Sequence, residues 1–271
     1  MSAPNAPRTA PGTPRTVPET PRIAPGAPRT ARERARAELT REIKEEARRQ
    51  LASVGANGLS LRAVARELGM VSSALYRYYP SRDDLLTALI IDAYNALGEA
   101  AERAIAAAAG PSSRRWLAAC HAIRDWAVSR PHEYALIYGS PVPGYRAPEA
   151  TITPAGRVPL AFVGVLGDAV AAGEVAREPG ARDAPAEVAG VLRDQAAALL
   201  AALPGPAAAV PPDVLLRAVI AWTQLFGMIS FELFGQFVGS FEPADALFAH
   251  AVAQLAQYVG FRPRPHANDM Y

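Results

Sequence analysis

Residues 60–86 contain the side chains best suited to contact with another macromolecule, because aromatic, basic and hydroxyl residues coincide there with short helical periods. Apolar residues recur three and four positions apart between residues 61 and 68, which predicts a short helix with Ser60 as its N-cap. Gly69 can take the left-handed conformation that ends a helix. A second short helix is predicted over residues 72–78. Two short helices joined by a glycine turn are typical of a helix-turn-helix unit that contacts the major groove of DNA.

The second of these helices has the composition of a groove-contacting element. It begins with three small residues that would let its backbone come close to DNA, namely Ser72, Ser73 and Ala74. Pro80 then forces the chain out of the helix, and Ser81 is predicted to cap a third helix that begins with acidic residues. The alternative is a three-helix packing unit whose exposed tyrosines contact nothing.

From about Thr40 to Leu86, the order and spacing of LSLRAVARELGM and ALYRYYPSRDDLL resemble the DNA-binding domain of the TetR family of transcriptional regulators. The resemblance implies that Tyr76 contacts a phosphate, and Arg82 stands where the family has a phosphate-binding lysine. Two departures are Val71 in place of a capping serine and Tyr79 in place of a phenylalanine. The candidate DNA-binding residues are Ser60, Arg62, Ser72, Ser73, Ala74, Tyr76, Arg77, Tyr78 and Arg82.

The uneven distribution of charge is compatible with one nucleic-acid face. The chain has 271 residues and a formal net charge of +2, with residues 1–86 at +6 and the remainder at −4. Arginine abundance also follows from a GC-rich genome, so it is weak support by itself. The length and the half-apolar composition allow a small module plus a larger domain.

Residues 1–30 contain a repeated proline and arginine pattern, APRTAPG, TPRTVPE, TPRIAPG, that cannot form a helix. We expect a disordered arm with polyproline II character, either a tether that touches DNA or a passive tail. A helical pattern then begins near Ala31, and residues 31–86 are predicted to form the DNA-binding domain. Its first helix carries four basic residues that could reach phosphates, Arg36, Arg41, Lys44 and Arg48. A solvated, ion-paired face is favoured instead, because glutamates on the same helix supply i to i+4 partners, namely Glu38, Glu42, Glu45 and Glu46.

Residues 87–261 are predicted to form a helical ligand-binding and dimerisation domain, followed by a flexible tail at 262–271, so that the whole fold is all-α. The helix from Ser81 runs to about Ala108 and links the two domains. Ser112 or Ser113 caps the next helix, and later helices are expected over residues 156–172, 185–203, 213–238 and 243–261. Aromatic and apolar residues spread over several helices are the candidate pocket: Trp116, Ile123, Trp126, Tyr134, Tyr138, Phe162, Trp222 and Phe226.

The stretches HEYALIYGSPVPGYRAPEATITPAG and AWTQLFGMISFEL resemble the C-terminal domain of the TetR subfamily named for a Trp-His-Gly signature. Phe226 stands in place of the signature histidine, so the implied polar ligand contact fails at that position. A small apolar or aromatic effector is expected instead.

The helix predicted over residues 213–238 is apolar on two faces, which predicts that one face meets the body and the other a partner chain. In the family such helices form a four-helix bundle with the symmetry mate. The chain is therefore expected to be a homodimer that binds a double-stranded DNA operator. The candidate dimer-interface residues are Leu216, Ile220, Gly227, Phe231, Phe234, Phe248 and Leu255.

Other functional classes have little support in the sequence. The single Cys120 excludes an internal disulfide framework, and the four histidines lie apart, so no metal, cofactor or catalytic residue is predicted. We expect no segment long and apolar enough to span a membrane, and a cytoplasmic protein. The predicted function is a ligand-responsive repressor. The alternatives are a small-molecule binding protein with a degenerate DNA-binding head and, less favoured, an enzyme.

Overall fold

The computed structural model describes residues 30–176, 186–203 and 205–262. The predicted arm and almost all of the predicted tail therefore lie outside the described residues. The described residues form ten α-helices and no strand, which confirms the all-α fold class. The helices are α1 Ala31–Gly58, α2 Leu61–Glu67, α3 Ser72–Leu75, α4 Arg82–Ala107, α5 Ser112–Ser129, α6 Pro131–Tyr138, α7 Ile152–Ala171, α8 Ala186–Ala201, α9 Pro212–Leu233 and α10 Asp245–Val259.

The chain divides into two units, with the boundary between Thr40 and Arg41. In the first unit, a reciprocal cap forms where α1 begins. The Thr30 backbone N–H donates to Glu33 Oε2 at 2.9 Å, and the Glu33 backbone N–H donates to Thr30 Oγ1 at 3.1 Å. The domain boundary predicted at residue 86 stays a prediction, since α4 runs through that position without a break.

Local capping signals define the helix-turn-helix as the sequence predicts. The Ser60 hydroxyl accepts from the Ala63 backbone N–H at 3.4 Å, and Gly69 has a φ of 65°. Ser81 and Asp84 form a complete capping box at the start of α4. However, α3 ends at Leu75 rather than Tyr78, and Val71 supplies no side-chain cap. The Tyr79 side chain is buried.

The ends of α5 and α9 differ from the prediction. Neither Ser112 nor Ser113 caps α5, because Pro111 occupies the N-cap and the Ser112 backbone N–H donates to Glu174 Oε2 at 2.7 Å. The final turn of α9 closes through a bond from the Gln236 N–H to the Phe231 carbonyl at 2.8 Å, next to Gly235 at a φ of 77°. The helix therefore ends at Leu233, five residues before the predicted end.

An ion-pair cluster joins α5, α9 and α10. Arg124 makes two hydrogen bonds to the Glu232 carboxylate, at 2.7 and 2.6 Å, and a third to Asp245 Oδ1 at 3.1 Å. Its guanidinium also lies 5.0 Å from the centre of the Phe248 ring. The cluster fixes the C-terminal end of α9 relative to its neighbours.

The expectation that no segment is long and apolar enough to span a membrane was wrong when judged by length and composition. Residues 149–171 and α9 are both long and apolar enough to cross a membrane, and 39% of the most apolar stretch of each is buried. Both helices contribute core residues, among them Phe162 and Leu166 from α7 and Leu225 from α9. The core helix of a soluble protein passes the same test, so these helices are weak evidence for a membrane.

Candidate functional sites

The exposed end of the helix-turn-helix unit carries four of the nine predicted DNA-binding residues: Arg62, Ser73, Tyr76 and Arg77. Tyr76 is 41% exposed, so its hydroxyl is accessible from solvent. Within the described part of the chain, neither arginine forms an ion pair, so both guanidinium groups are available to bind an anion. Ser60, Ser72, Ala74 and Tyr78 are half-buried, and the Ser60 hydroxyl is already used in the helix cap.

Arg82 is engaged within the protein. Its Nη2–H donates to the Ala56 carbonyl at 2.6 Å and its Nε–H to the Leu59 carbonyl at 3.2 Å, while Nη1 lies 3.5 Å from Asp83 Oδ1. The side chain thus connects the start of α4 to the end of α1 and the turn that follows it. This arrangement indicates a positioning role for Arg82, and the phosphate contact expected from its place in the sequence stays a prediction.

The solvated charged face expected on α1 is wrong at two positions. Lys44 Nζ lies 2.7 Å and Arg48 Nη2 also 2.7 Å from Asp92 Oδ2 of α4, and Arg48 Nε lies 3.5 Å from Glu133 Oε2 of α6. These pairs are long-range contacts between the helix-turn-helix unit and the helices that follow it. The expected i to i+4 pairing is seen between Arg41 and Glu45, at 3.3 Å.

A largely apolar cavity of about 580 Å³ lies between α7, α8 and α9. Two of the eight predicted pocket residues, Phe162 and Trp222, line it. The other lining residues are Ile152, Thr153, Gly156, Pro159, Leu160, Val163, Leu166, Leu199, Leu203, Leu215, Ala218 and Val219. Among the residues that the structure describes, no ionisable side chain lines the cavity, so it suits an apolar molecule.

The remaining six predicted pocket residues do not line this cavity. Trp116, Ile123, Trp126, Tyr134 and Phe226 are buried, and Tyr138 is half-buried. For four of them, Trp116, Tyr134, Tyr138 and Phe226, the physical reason is that the rings pack on other aromatic rings. The Tyr138 and Phe226 ring centres are 4.3 Å apart, and those of Trp116 and Phe162 are 4.5 Å apart. These six residues do not line this cavity, so their assignment to an effector pocket stays a prediction.

The phenols in this aromatic cluster are held neutral. Burial raises the pKa of both Tyr134 and Tyr138 above the ordinary tyrosine value. The Tyr134 hydroxyl donates to the Phe226 carbonyl at 3.0 Å and lies 2.8 Å from Ser230 Oγ. The phenol therefore fixes α6 on α9 and has no charge to offer a ligand.

The predicted dimer-interface residues separate into two groups. Ile220, Gly227, Phe231 and Phe234 are exposed, and Leu216 and Leu255 are half-buried, so these six remain candidates. Phe248 is only 1% exposed and packs on Arg124 and on the His121 ring, whose centre is 5.5 Å away. Its assignment to the interface was wrong, because helical spacing does not show which side of α10 faces the core.

The described residues offer no alternative chemical centre. They contain no group of three or more His, Cys, Asp and Glu side chains placed to hold a metal ion. Cys120 is buried, and burial raises the pKa of its thiol well above the ordinary value, so the thiol stays protonated.

Comparison with known proteins relates both parts of the chain to one family. A model described as "Bacterial regulatory proteins, tetR family" matches residues 43–89, and one described as "Tetracyclin repressor-like, C-terminal domain" matches residues 116–255. The second match does not test the finer likeness to the Trp-His-Gly subfamily, which stays a prediction.

Individual proteins are also similar to this chain. The HTH-type transcriptional regulator Rv1816 of Mycobacterium tuberculosis is 43% identical over 211 residues, which cover 75% of this chain and 84% of that protein. The crystal structure of the regulatory protein SCO4313 is 37% identical, with a TM-score of 0.65 over 83% of this chain and 98% of the other. A protein from Rhodococcus sp. RHA1 shares the fold, with a TM-score of 0.60 at 24% identity, over 81% and 94% of the two chains.

Proposed function

Because the chain belongs to the tetR family of bacterial regulatory proteins and is thus a helix-turn-helix transcriptional regulator, we propose that it is a ligand-responsive repressor. It binds a palindromic operator as a homodimer in the cytoplasm, and a small apolar or aromatic effector releases it. The proposal includes no catalytic step and no cofactor. The observation that carries it is that one chain holds both an exposed helix-turn-helix surface and an apolar cavity.

Operator contact is assigned to the exposed residues of α2 and the region of α3. Arg77 is placed to read a base edge, since a guanidinium pairs with two acceptors of guanine in the major groove. Tyr76 and Arg62 bind phosphates, which fixes orientation without reading sequence. Two copies related by a two-fold axis contact half-sites about one helical turn apart.

The effector class follows from the cavity. Its volume of about 580 Å³ accommodates a drug-sized molecule, and its lining offers few hydrogen bonds. Phe226, in the place of the family's signature histidine, packs against Trp222 at 5.5 Å between ring centres, so no imidazole is available there. Hydrophobic aromatics and lipid-like acids with one polar end are the candidates.

A contiguous set of contacts connects the cavity to the DNA-binding helices. Trp222 contacts Phe226, whose ring lies against Tyr138 of α6. The same helix carries Glu133, whose Oε2 lies 3.5 Å from Arg48 Nε of α1, and Arg48 also pairs with Asp92 of α4. An effector that displaces α9 therefore acts on α6 and α4, and changes the separation of the two recognition helices. A hundredfold preference for the non-operator conformation corresponds to about 2.7 kcal/mol of coupling.

The DNA-binding part of the proposal is tested with the DNA upstream of the protein's own gene, by fluorescence anisotropy. Arg77→Ala should weaken binding by about 1 to 3 kcal/mol and relax sequence preference, whereas Tyr76→Phe should weaken binding to all sequences. Arg103→Ala is the matched control, because the Arg103 side chain is 73% exposed on α4 and its replacement removes the same charge. Unchanged affinity in both Arg77→Ala and Tyr76→Phe would indicate a degenerate DNA-binding head.

The effector part is tested with a cavity-filling pair on α7. Gly156 lines the cavity, and a Cβ there would meet only Leu160 Cδ1, at an ordinary contact distance of 3.7 Å, so the side chain of Gly156→Leu starts in open space at the cavity wall. Gly164→Leu on the same helix is the control, because a Cβ there meets nothing within 4 Å and Gly164 does not line the cavity. Compounds that quench tryptophan fluorescence and release the operator should lose both effects in Gly156→Leu alone. Equal responses in the two variants would contradict the cavity as the effector site.

A further inference from the structure

Helix α7 contacts both the cavity and α4. Gly156 and Leu160 line the cavity, whereas Arg157, in the same turn, does not. The Arg157 side chain extends to α4 instead, where it makes four hydrogen bonds. A molecule that displaces this turn of α7 therefore also displaces the groups that hold α7 on α4.

The four hydrogen bonds fix the orientation of α7 on α4 as well as its distance. Arg157 Nε–H donates to Glu102 Oε1 at 2.9 Å and Nη2–H to Glu102 Oε2 at 2.6 Å, so the guanidinium binds both oxygens of the carboxylate. Nη1 donates to the Asn95 backbone carbonyl at 2.9 Å and to Asn95 Oδ1 at 3.0 Å. Asn95 and Glu102 are two turns apart on α4, so the guanidinium resists sliding of one helix along the other.

Gly98 lets the two helices approach closely at this point. It is buried and lies between Asn95 and Glu102 on α4. A Cβ added at Gly98 would lie 2.7 Å from Arg157 Cβ, which is too short for two carbon atoms that are not bonded. Because Arg157 Cβ is the side-chain atom next to the backbone, it can move away only if α7 moves. The two helices are therefore in direct contact, and a shift of α7 moves α4.

Pro159 makes the same turn of α7 easier to deform. A proline has no backbone N–H, so the hydrogen bond that residue 159 would donate to the Ala155 carbonyl is missing. Pro159 also lines the cavity. The turn that lacks a hydrogen bond therefore faces the cavity on one side and carries Arg157 on another.

On α4, the contacts of Arg157 lie next to the contacts of the helix-turn-helix unit. Asp92 is one turn before Asn95, and its Oδ2 lies 2.7 Å from Lys44 Nζ and 2.7 Å from Arg48 Nη2 of α1. A change in the position of α4 at Asn95 therefore reaches α1 through adjacent contacts on one helix.

We propose that Arg157 is a positioning residue that couples the cavity to the DNA-binding helices through α4. An effector that enters the cavity displaces α7, and the bonds from Arg157 to Asn95 and Glu102 make α4 follow. The inference rests on the proposed function, which makes the cavity the effector site, and it adds a second connection, separate from the aromatic contacts between α9 and α6. Since coupling between two sites is reciprocal, operator DNA weakens binding in the cavity through the same contacts.

The test measures how strongly operator DNA opposes binding in the cavity. The neutral fluorescent probe N-phenyl-1-naphthylamine is titrated into the protein with and without the DNA upstream of its own gene, and the ratio of the two dissociation constants gives the coupling. Arg157→Ala removes all four hydrogen bonds, and Glu102→Gln keeps the shape of the partner but not its charge. Circular dichroism checks the fold of each variant.

Arg115→Ala is the matched control. Arg115 of α5 also pairs with α7 across a helix interface, with Nη1 at 2.8 Å from Asp168 Oδ2, but it does not contact α4 through this pair. Its side chain is 25% exposed, against 29% for Arg157. An ion pair with a purely structural role would lower stability in the same way at either arginine and leave the coupling unchanged.

We expect operator DNA to weaken probe binding about tenfold or more in the wild type and in Arg115→Ala. In Arg157→Ala the factor should fall to about twofold or less, and in Glu102→Gln it should lie between these values. Without DNA, the wild type and the three variants should bind the probe alike, because none of the substituted residues lines the cavity.

The outcomes separate this inference from the proposed function. Wild-type coupling in folded Arg157→Ala would overturn the inference and leave the effector site in place, and if that variant does not fold, wild-type coupling in Glu102→Gln would do the same. An equal loss of coupling in Arg115→Ala would overturn it as well, since any ion pair on α7 would then act alike. If operator DNA does not change the affinity of the wild-type protein for the probe, the cavity is not linked to DNA binding, which refutes the proposed function itself.

Discussion

Arg82→Ala should destabilise the protein because the Arg82 side chain holds α4 against the end of α1. The variant removes two charged donors from the carbonyls of Ala56 and Leu59, at 2.6 and 3.2 Å. Hydrogen bonds to a charged group contribute about 1.5 to 3 kcal/mol each when shielded from water. The Arg82 side chain is 31% exposed and its pair with Asp83 is a surface contact, so we expect a total loss of about 2 kcal/mol in the free energy of unfolding.

The assay for this prediction is urea unfolding followed by circular dichroism. Arg82→Lys keeps the charge but not the planar fork, and should lose about 1 kcal/mol. Arg77→Ala is the control, because an exposed arginine without an ion pair should change stability by less than about 0.5 kcal/mol. If Arg82→Ala left stability unchanged but weakened operator binding, the positioning role would be refuted and Arg82 would be a phosphate ligand.

Three further predictions concern buried and paired groups of the body. Arg124→Met should lower the free energy of unfolding by about 3 kcal/mol, because it leaves the partly buried Glu232 carboxylate unpaired; a loss below about 1 kcal/mol in urea would contradict this. Arg124 holds the pKa of Asp245 below its usual range, mainly through a hydrogen bond. The contribution of Asp245 to stability is therefore present above about pH 4. It is lost as the pH falls through the lower pKa of the folded state. The difference in free energy of unfolding between wild type and Asp245→Asn should therefore shrink in acid. Between about pH 5 and pH 7 it should stay constant, because this range lies above the ordinary pKa of an aspartate. Cys120 should react with a chromogenic disulfide reagent only when the protein unfolds, because the thiol is 1% exposed; rapid reaction of the native protein would refute its burial.

The helix-turn-helix could be predicted from the sequence because the signals that define it are local. Ser60, Gly69 and Ser81 act within three or four residues of themselves, and each does in the structure what its type predicts. The same local reasoning failed for α5, whose first N–H is bound by Glu174 from a distant part of the chain. It also failed for Lys44 and Arg48, whose partner Asp92 is more than forty residues away.

The ligand cavity could be predicted only in part. Helical spacing identified aromatic residues on inward faces, but it could not distinguish rings that pack on each other from rings that line a cavity. Tyr138 and Phe226 fill space together, whereas Trp222 on the same helix as Phe226 has a face on the cavity. The lining contributed by Leu199 and Val219 was missed because both are outward positions of their helices, and their role depends on how α8 packs against α9.

Hydroxyl-radical footprinting of the wild-type protein on the DNA upstream of its own gene tests the central claim most directly. We predict two protected regions of a palindrome, centred about one helical turn apart, that are lost with Arg77→Ala and with an effector that enters the cavity. Protection that is absent, or that persists unchanged in Arg77→Ala and at saturating effector, would contradict a ligand-responsive repressor that reads DNA through this helix-turn-helix unit.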